Sequence, residues 1–332
     1  MLAFAPLTAT AGQPVAIALS PVGNPGNAAD TTGYGAVPYA YDIGTYDVTL
    51  SQYCSFLNSV ATTADPYGLF NTSLSTDGNV EGITRASVSG GFTYSVIGTS
   101  GSDPVTYVSW LDAARFCNWI QNGELTTGTE NALTTEQGAY TLNGDIDSTG
   151  TTGIETKNAA AVYWIPSENE WYKAAYYNPT LNSGSGGYTL YATQSNTAPG
   201  NVINGPANEA NYYNGVYSVT QNSTLYTGTN YLTPVGTFTN SASFYNTYDQ
   251  NGDVFQWNDA VIAQKYRGFR GGGWIDPLND MQSTTRIFDS PTAAYDDVGF
   301  RIASIPEPNS LALLFSGAAF AAAAFRRKPR AR

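Results

Sequence analysis

Pro104-Val105-Thr106-Tyr107-Val108-Ser109-Trp110-Leu111-Asp112-Ala113-Ala114-Arg115-Phe116-Cys117-Asn118-Trp119 passes from a short apolar run into a helix. Val105–Val108 reads as a short strand. Ser109-x-x-Asp112 then forms a capping box, in which each side chain satisfies a backbone N–H that the first helical turn leaves unpaired. Ala113, Phe116, Cys117 and Ile120 follow at helical spacing, and Asn122-Gly123 supplies the stop. The same signal occurs twice more. Thr49-x-x-Gln52 opens a helix through about Val60 with Tyr53, Phe56, Leu57 and Val60 on its apolar face. Ser167-x-x-Glu170, after Pro166, opens a short helix carrying Trp171, Ala174 and Ala175. Elsewhere short apolar runs such as Val162–Ile165 are separated by Gly, Asn, Ser and Thr. Few helices, several short strands and much loop predict one α+β domain, and no internal repeat is present.

Composition narrows the chemistry. The 332 residues include 14 Lys+Arg, 26 Asp+Glu and no histidine, for a formal net charge of −12. Without histidine there is no Ser-His-Asp or Cys-His catalysis, no imidazole general base and no imidazole metal site. The negative charge disfavours phosphate backbones, so nucleic acid is not an expected partner. Charged residues make up 12% of the chain, about half the usual share. Hydrophobic content of 42% and aromatic content of 13% support a packed core. An aromatic, weakly charged, Gly/Asn/Thr-rich chain suits an exported protein.

The two ends carry address signals. Met1–Leu7 is apolar and Ala9-Thr10-Ala11 fits a cleavage site, so residues 1–13 read as a signal-peptide remnant ahead of a domain spanning 14–304. Residues 305–332 form a third unit. Ile305-Pro306-Glu307-Pro308 precedes an apolar run from Leu311 to Phe325, and the end, 326–332, holds five of the positive charges. A helix over 310–325 reaches about 24 Å, short of a hydrocarbon core of roughly 30 Å, a gap that snorkelling arginines and local thinning close. The order Pro306-Glu307-Pro308, apolar helix, basic end resembles the PEP-CTERM sorting signal of exported bacterial proteins. That resemblance implies a membrane-spanning helix in the inner membrane during transit and processing by an exosortase-type enzyme. The destination it implies is the cell surface or extracellular matrix.

Across residues 40–304 six blocks resemble, in order, the formylglycine-generating enzyme (sulfatase-modifying factor) family. Tyr41–Thr49 is similar to "IGkyEVT", Pro104–Trp119 to "PVtyVSWxDAxxFcNW", and Ile165–Trp171 to "lPTEaEWE". Thr247–Trp257 is similar to "LyDmxGNVwEW", Phe269–Trp274 to "lRGGSW", and Val298–Arg301 to "vGFRva". The resemblance implies a C-type-lectin-like α+β fold with sparse secondary structure. It also implies an oxidase that holds copper through two cysteines shortly after "GGS". Here 270–300 contains no cysteine; Asp276, Asn279 and Met281 stand where thiols are expected, and Gly273 replaces the serine. Cu(I) selects soft thiolates, so oxygen donors do not substitute and copper is not expected to bind. The histidine-bound iron of a related branch also lacks its ligands. The expectation is a binding or structural module that lost the oxidase site, with an oxidoreductase acting through an unrecognised site as the alternative.

Three readings compete for Cys54 and Cys117. A disulfide suits an exported chain with an even cysteine count and closes a loop of about 60 residues, worth roughly 4 kcal/mol. Two buried thiols on apolar helix faces, or a relocated copper or redox pair, are the others. The family resemblance further implies calcium, held by side-chain oxygens of Asp249 and Gln256 and carbonyls of Gly252 and Val254, with a second site beginning at Asn211-Tyr212. For Asp249 the competing role is a turn residue closing an Asx-turn. Arg270, Arg286 and Arg301 read as partly buried salt bridges and the six tryptophans as core. Tyr176, Tyr177, Tyr212 and Tyr213 are candidates for a saccharide or protein ligand, with core packing the competing role.

Overall fold

The computed structural model describes residues 15–80, 82–146 and 155–306. The signal-peptide segment 1–13 lies outside the described residues, as do Glu307, Pro308, the apolar run and the basic end. Among the described residues no helix is long and apolar enough to cross a membrane.

Two small sheets and a few helices carry a large amount of ordered loop. The first sheet has the order β1 (Leu19–Val22), β2 (Tyr41–Gly44), β12 (Ala303–Ser304), β5 (Tyr163–Trp164). The last described strand therefore closes against strands from the beginning and middle of the chain. The second sheet has the order β10 (Ile287–Asp289), β9 (Tyr266–Arg270), β8 (Phe255–Ile262), β11 (Val298–Gly299), with β11 parallel to β8. Two hairpins stand apart, β3 (Ile83–Val88) with β4 (Gly91–Val96), and β6 (Tyr177–Asn178) with β7 (Gly187–Tyr188).

Five helices are present among the described residues: α1 (Leu50–Val60), α2 (Ser73–Thr76), α3 (Trp110–Gln121), α4 (Glu168–Tyr176) and α5 (Leu181–Gly184). All three expected capping boxes form, with Thr49, Ser109 and Ser167 accepting from the backbone N–H of Gln52, Asp112 and Glu170. Burial follows the apolar pattern. α1 and α3 pack through an aromatic layer in which the Phe116 ring lies 5.4 Å from Phe56 and 5.3 Å from Phe300, both edge-on. All six tryptophans are buried.

Two sequence expectations need correction. Val105–Val108 is not a strand: only Pro104 makes a bridge, to Thr49, and Tyr107 has φ +52°, which breaks the extended run. Nor do Cys54 and Cys117 form a disulfide; both are free, buried thiols. Their helices do touch, but Tyr53, Phe56, Phe116 and Trp119 fill the contact. Cys54 is directed elsewhere, its Sγ 3.5 Å from Asn58 Nδ2, while Cys117 feels the Asp259 carboxylate. Burial pushes both thiols up, the reverse of what a reactive cysteine needs.

Candidate functional site

Strand β9 ends at Arg270, whose guanidinium is anchored to Glu168 at the start of α4 (Nη2–Oε1 2.7 Å), and Arg286 reaches the same carboxylate at 2.7 Å. Arg301 pairs with Asp47. The salt-bridge reading of all three arginines thus holds.

Beyond Arg270 the chain turns through Gly271 (φ +115°) and Gly272 (φ +74°), a path that favours glycine. A Cβ on Gly272 would lie 2.8 Å from Met281 Cγ. This packing buries Met281 completely, among Tyr191, Ala210 and Tyr212. Asn279 lies on the surface. Asp276 is drawn back onto the glycine turn, where its Oδ2 accepts the Gly273 N–H at 3.0 Å. The three positions expected to carry thiols therefore do not converge.

A pair of carboxyls occupies the space instead. Asp297, just before β11, and Asp276 share a hydrogen bond between their carboxyls. Burial, then the charges of Asp276 and Asp296, pushes Asp297 up, so the pair holds a proton more tightly than free carboxyls do. Asp280 and Asp296 bear on Asp276, and the Tyr107 hydroxyl, 2.6 Å from Asp77 Oδ2, faces Asp77, Asp296 and Asp297. Trp274 closes the floor, stacked on Tyr231 at 5.1 Å with its indole N–H donated to Asp296 O. Asp77, Tyr107, Asp296 and Asp297 were not among the sequence candidates. The adjacent acids Asp296-Asp297 beside "vGFR" were the available signal.

The residues expected to hold calcium divide into two groups. Asn211 bridges to Gly252 and accepts from the Asp253 N–H at 2.8 Å, and its own amide donates to Asp253 Oδ1 and Tyr231 O. Tyr212 is tied through its hydroxyl to Pro199 O, and Val254 is buried in an apolar cluster. Gln256 sits apart with Arg301: its Oε1 accepts from Trp171 Nε1 (2.6 Å) and Arg301 Nε (2.7 Å), and its Nε2 donates to Asp249 O (2.7 Å). Asp249 (φ +58°) accepts the Gly236 N–H and borders a polar cavity of about 10 Å3 shared with Thr247 and Gln250. An oxygen held between an indole N–H and a guanidinium is not available to a divalent cation. Gln256 as arranged therefore offers no oxygen to a cation, and no group of three or more His, Cys, Asp or Glu among the described residues is arranged to hold a metal.

Of the tyrosines, Tyr176, Tyr177 and Tyr212 are buried, and only Tyr213 keeps partial exposure. Tyr176 spends its hydroxyl on Met281 O. The core role wins for those three: Tyr176 and Tyr212 each satisfy a loop carbonyl, and Tyr177 packs its ring against Tyr188.

Three capped helices, two small sheets, short strands and much ordered loop make a mixed α+β domain. The chain belongs to the sulfatase-modifying factor enzyme 1-like domain family, whose model matches residues 33–305. It is 35% identical over 81 residues to inactive C-alpha-formylglycine-generating enzyme 2 of Mus musculus, a match covering 22% of this chain and 26% of that protein. The chain thus spans about a quarter of that relative's length. Similar solved structures include Treponema denticola variable protein 1 (TM-score 0.48, 16% identity, 87% of this chain and 95% of that one). CarF is also similar (TM-score 0.49, 18% identity, 88% and 99%), as is PvdO from Pseudomonas aeruginosa (TM-score 0.41, 16% identity, 87% and 92%).

Proposed function

We propose that this is a binding domain, exported from a bacterium, that keeps the family scaffold and does not oxidise cysteine. One observation carries the reading. The segment 270–300, where the family resemblance calls for two copper-binding thiols, has none, and both cysteines of the chain are buried on α1 and α3. A hydrogen-bonded carboxyl pair and a buried thioether are hard and neutral donors respectively, and neither replaces a thiolate pair for Cu(I). That the mouse relative is named inactive is consistent with this, over the short stretch it matches. The test is copper-loaded protein with a sulfatase-motif peptide, read by mass change at the peptide cysteine. No turnover above the copper-only blank is expected. Turnover lost in Cys54→Ser or Cys117→Ser would establish the oxidoreductase alternative instead.

The address signals complete the proposal. Pro306-Glu307-Pro308, the apolar run and the five terminal positive charges support insertion in the inner membrane, exosortase-type processing and delivery to the cell surface or matrix. Deleting residues 310–332 is expected to move the protein from the membrane fraction to the periplasm or medium. Identical soluble fractionation of both chains would end the sorting-signal reading.

A further inference from the structure

A cavity of about 180 Å3 opens between the first turns of α3, the loop holding Tyr67 and Asn71, and the segment around Ala294. It is distinct from the carboxyl pair at Gly273, although Tyr107 lines the cavity and turns its hydroxyl toward that neighbouring patch. We propose that this cavity binds a single neutral sugar ring and is the recognition site of the binding domain proposed above, on which the inference rests.

The lining sets the ligand class. Asp112 is only 7% exposed, and its Oδ2 takes the Ser109 N–H at 2.8 Å and O–H at 2.7 Å. Its Oδ1 receives no donor among the described residues, which leaves a fixed, nearly buried acceptor at the cavity wall. Asn71 has its Oδ1 committed to the Ser73 N–H at 3.0 Å, while its Nδ2 has no partner among the described residues. Asp112 Oδ1 thus stands as an acceptor and Asn71 Nδ2 as a donor, each held by its other atom, and Arg115 Nη1, without a partner among the described residues, adds a second donor. Tyr107 and Tyr67 add aromatic walls, and the Tyr107 ring is pinned by its hydrogen bond to Asp77. Hydroxyls directed at a carboxylate and an amide, with C–H faces against phenol rings, are the contacts a sugar ring makes.

Charge disfavours a simple cation or anion. Arg115 lies on the same helix face as Asp112 and lines the cavity; its Nε is 2.8 Å from Glu136 Oε1 and its guanidinium lies 4.3 Å from the Tyr67 ring centre. A fixed guanidinium beside Asp112 opposes an ammonium ligand, and the Asp112 carboxylate opposes an anion. The volume of about 180 Å3 falls below the roughly 300 Å3 at which drug-sized ligands begin, and it suits one small ring.

The experiment is saturation-transfer NMR on the purified protein with the methyl glycosides of glucose, galactose, mannose and N-acetylglucosamine at millimolar concentration. Butylammonium and acetate serve as charged comparators. Transfer to the ring protons of at least one glycoside and to neither ion is expected. Ala294→Phe, which fills the cavity, is expected to abolish it. Asp112→Asn keeps an oxygen for Ser109 and is expected to weaken binding by roughly tenfold or more, the loss of a hydrogen bond to a charged group. Three outcomes overturn the proposal: no glycoside receives transfer, transfer survives Ala294→Phe in a folded variant, or butylammonium binds in place of the sugars. The copper assay on the same preparation separates the two readings. Silence in both experiments removes the sugar site alone, whereas peptide turnover removes the binding-domain reading beneath it.

Discussion

A side chain at position 273 would start inside its neighbours. Its Cβ would lie 2.8 Å from Asp297 Cβ and 2.9 Å from Asp276 Oδ2. Serine, the residue that the family block "RGGSW" has at this place, is therefore incompatible with the carboxyl pair as packed. Glycine at 273, an acid at 276 and an acid at 297 form one packing solution that occupies the region of the missing thiols. Gly273→Ser is expected to destabilise the protein by about 1–3 kcal/mol through overpacking, measured by denaturant unfolding. The cost should shrink when Asp297→Gly removes the colliding Cβ, giving a favourable coupling in the double-mutant cycle. A serine tolerated at no cost in the otherwise unaltered chain would show that the pair does not depend on the glycine. In the sequence, Gly273 and Asp276 stand out as departures from the motif. Asp297 stands out only as one of two adjacent acids beside "vGFR", because its pairing with Asp276, made where β11 begins, leaves no local trace.

Helices were legible where their signal is local. A capping box links residues three apart, so Thr49–Gln52, Ser109–Asp112 and Ser167–Glu170 can be read without tertiary information, and each forms. Strands fared worse. β5, β11 and β12 are two residues long and carry no periodicity, and their pairing across the whole chain decides their existence. Val105–Val108 has the composition of a strand, yet it serves as a connector whose Tyr107 takes φ +52°. The cysteines show the same limit. Both were placed on the right helices, but helix faces, not helix identity, decide whether two thiols meet. The cavity at Asp112 was missed for a related reason: Asp112 was read as a cap, and its second oxygen is invisible until Asn71 and Ala294 are brought alongside. Tyrosine carries much of what remains. The hydroxyls of Tyr41, Tyr53, Tyr94 and Tyr212 each donate to a backbone carbonyl distant in sequence, which ties loops to the core in a chain with few ion pairs.

At the scale of the molecule, the acidic excess is partly buried. Burial, the charge of Asp65 and a hydrogen bond to Asp65 push Glu130 up to about 9. Neither Glu130 oxygen receives a hydrogen bond, as befits a protonated carboxyl that donates to Asp65. Asp297 is raised to about 8 and Asp259 to about 7, in both cases chiefly by burial. A carboxyl whose pKa is raised on folding binds its proton in the folded state and releases it in the unfolded chain throughout the interval between the two values. Stability must therefore fall as pH rises through that interval, the opposite of the usual salt-bridged carboxylate. For Glu130 the interval runs from the ordinary value of 4.5 to about 9. The melting temperature is accordingly expected to be highest in mildly acidic buffer and to decline steadily into the alkaline range. Glu130→Gln isolates the cause, because the amide N–H can donate to Asp65 as the protonated acid does, without titrating. The variant should match the unaltered protein at the acidic end and exceed it at the alkaline end, so that its curve of melting temperature against pH is flatter. A variant that loses stability most at alkaline pH would mean that Glu130 is ionised in the fold and that its burial is compensated in another way.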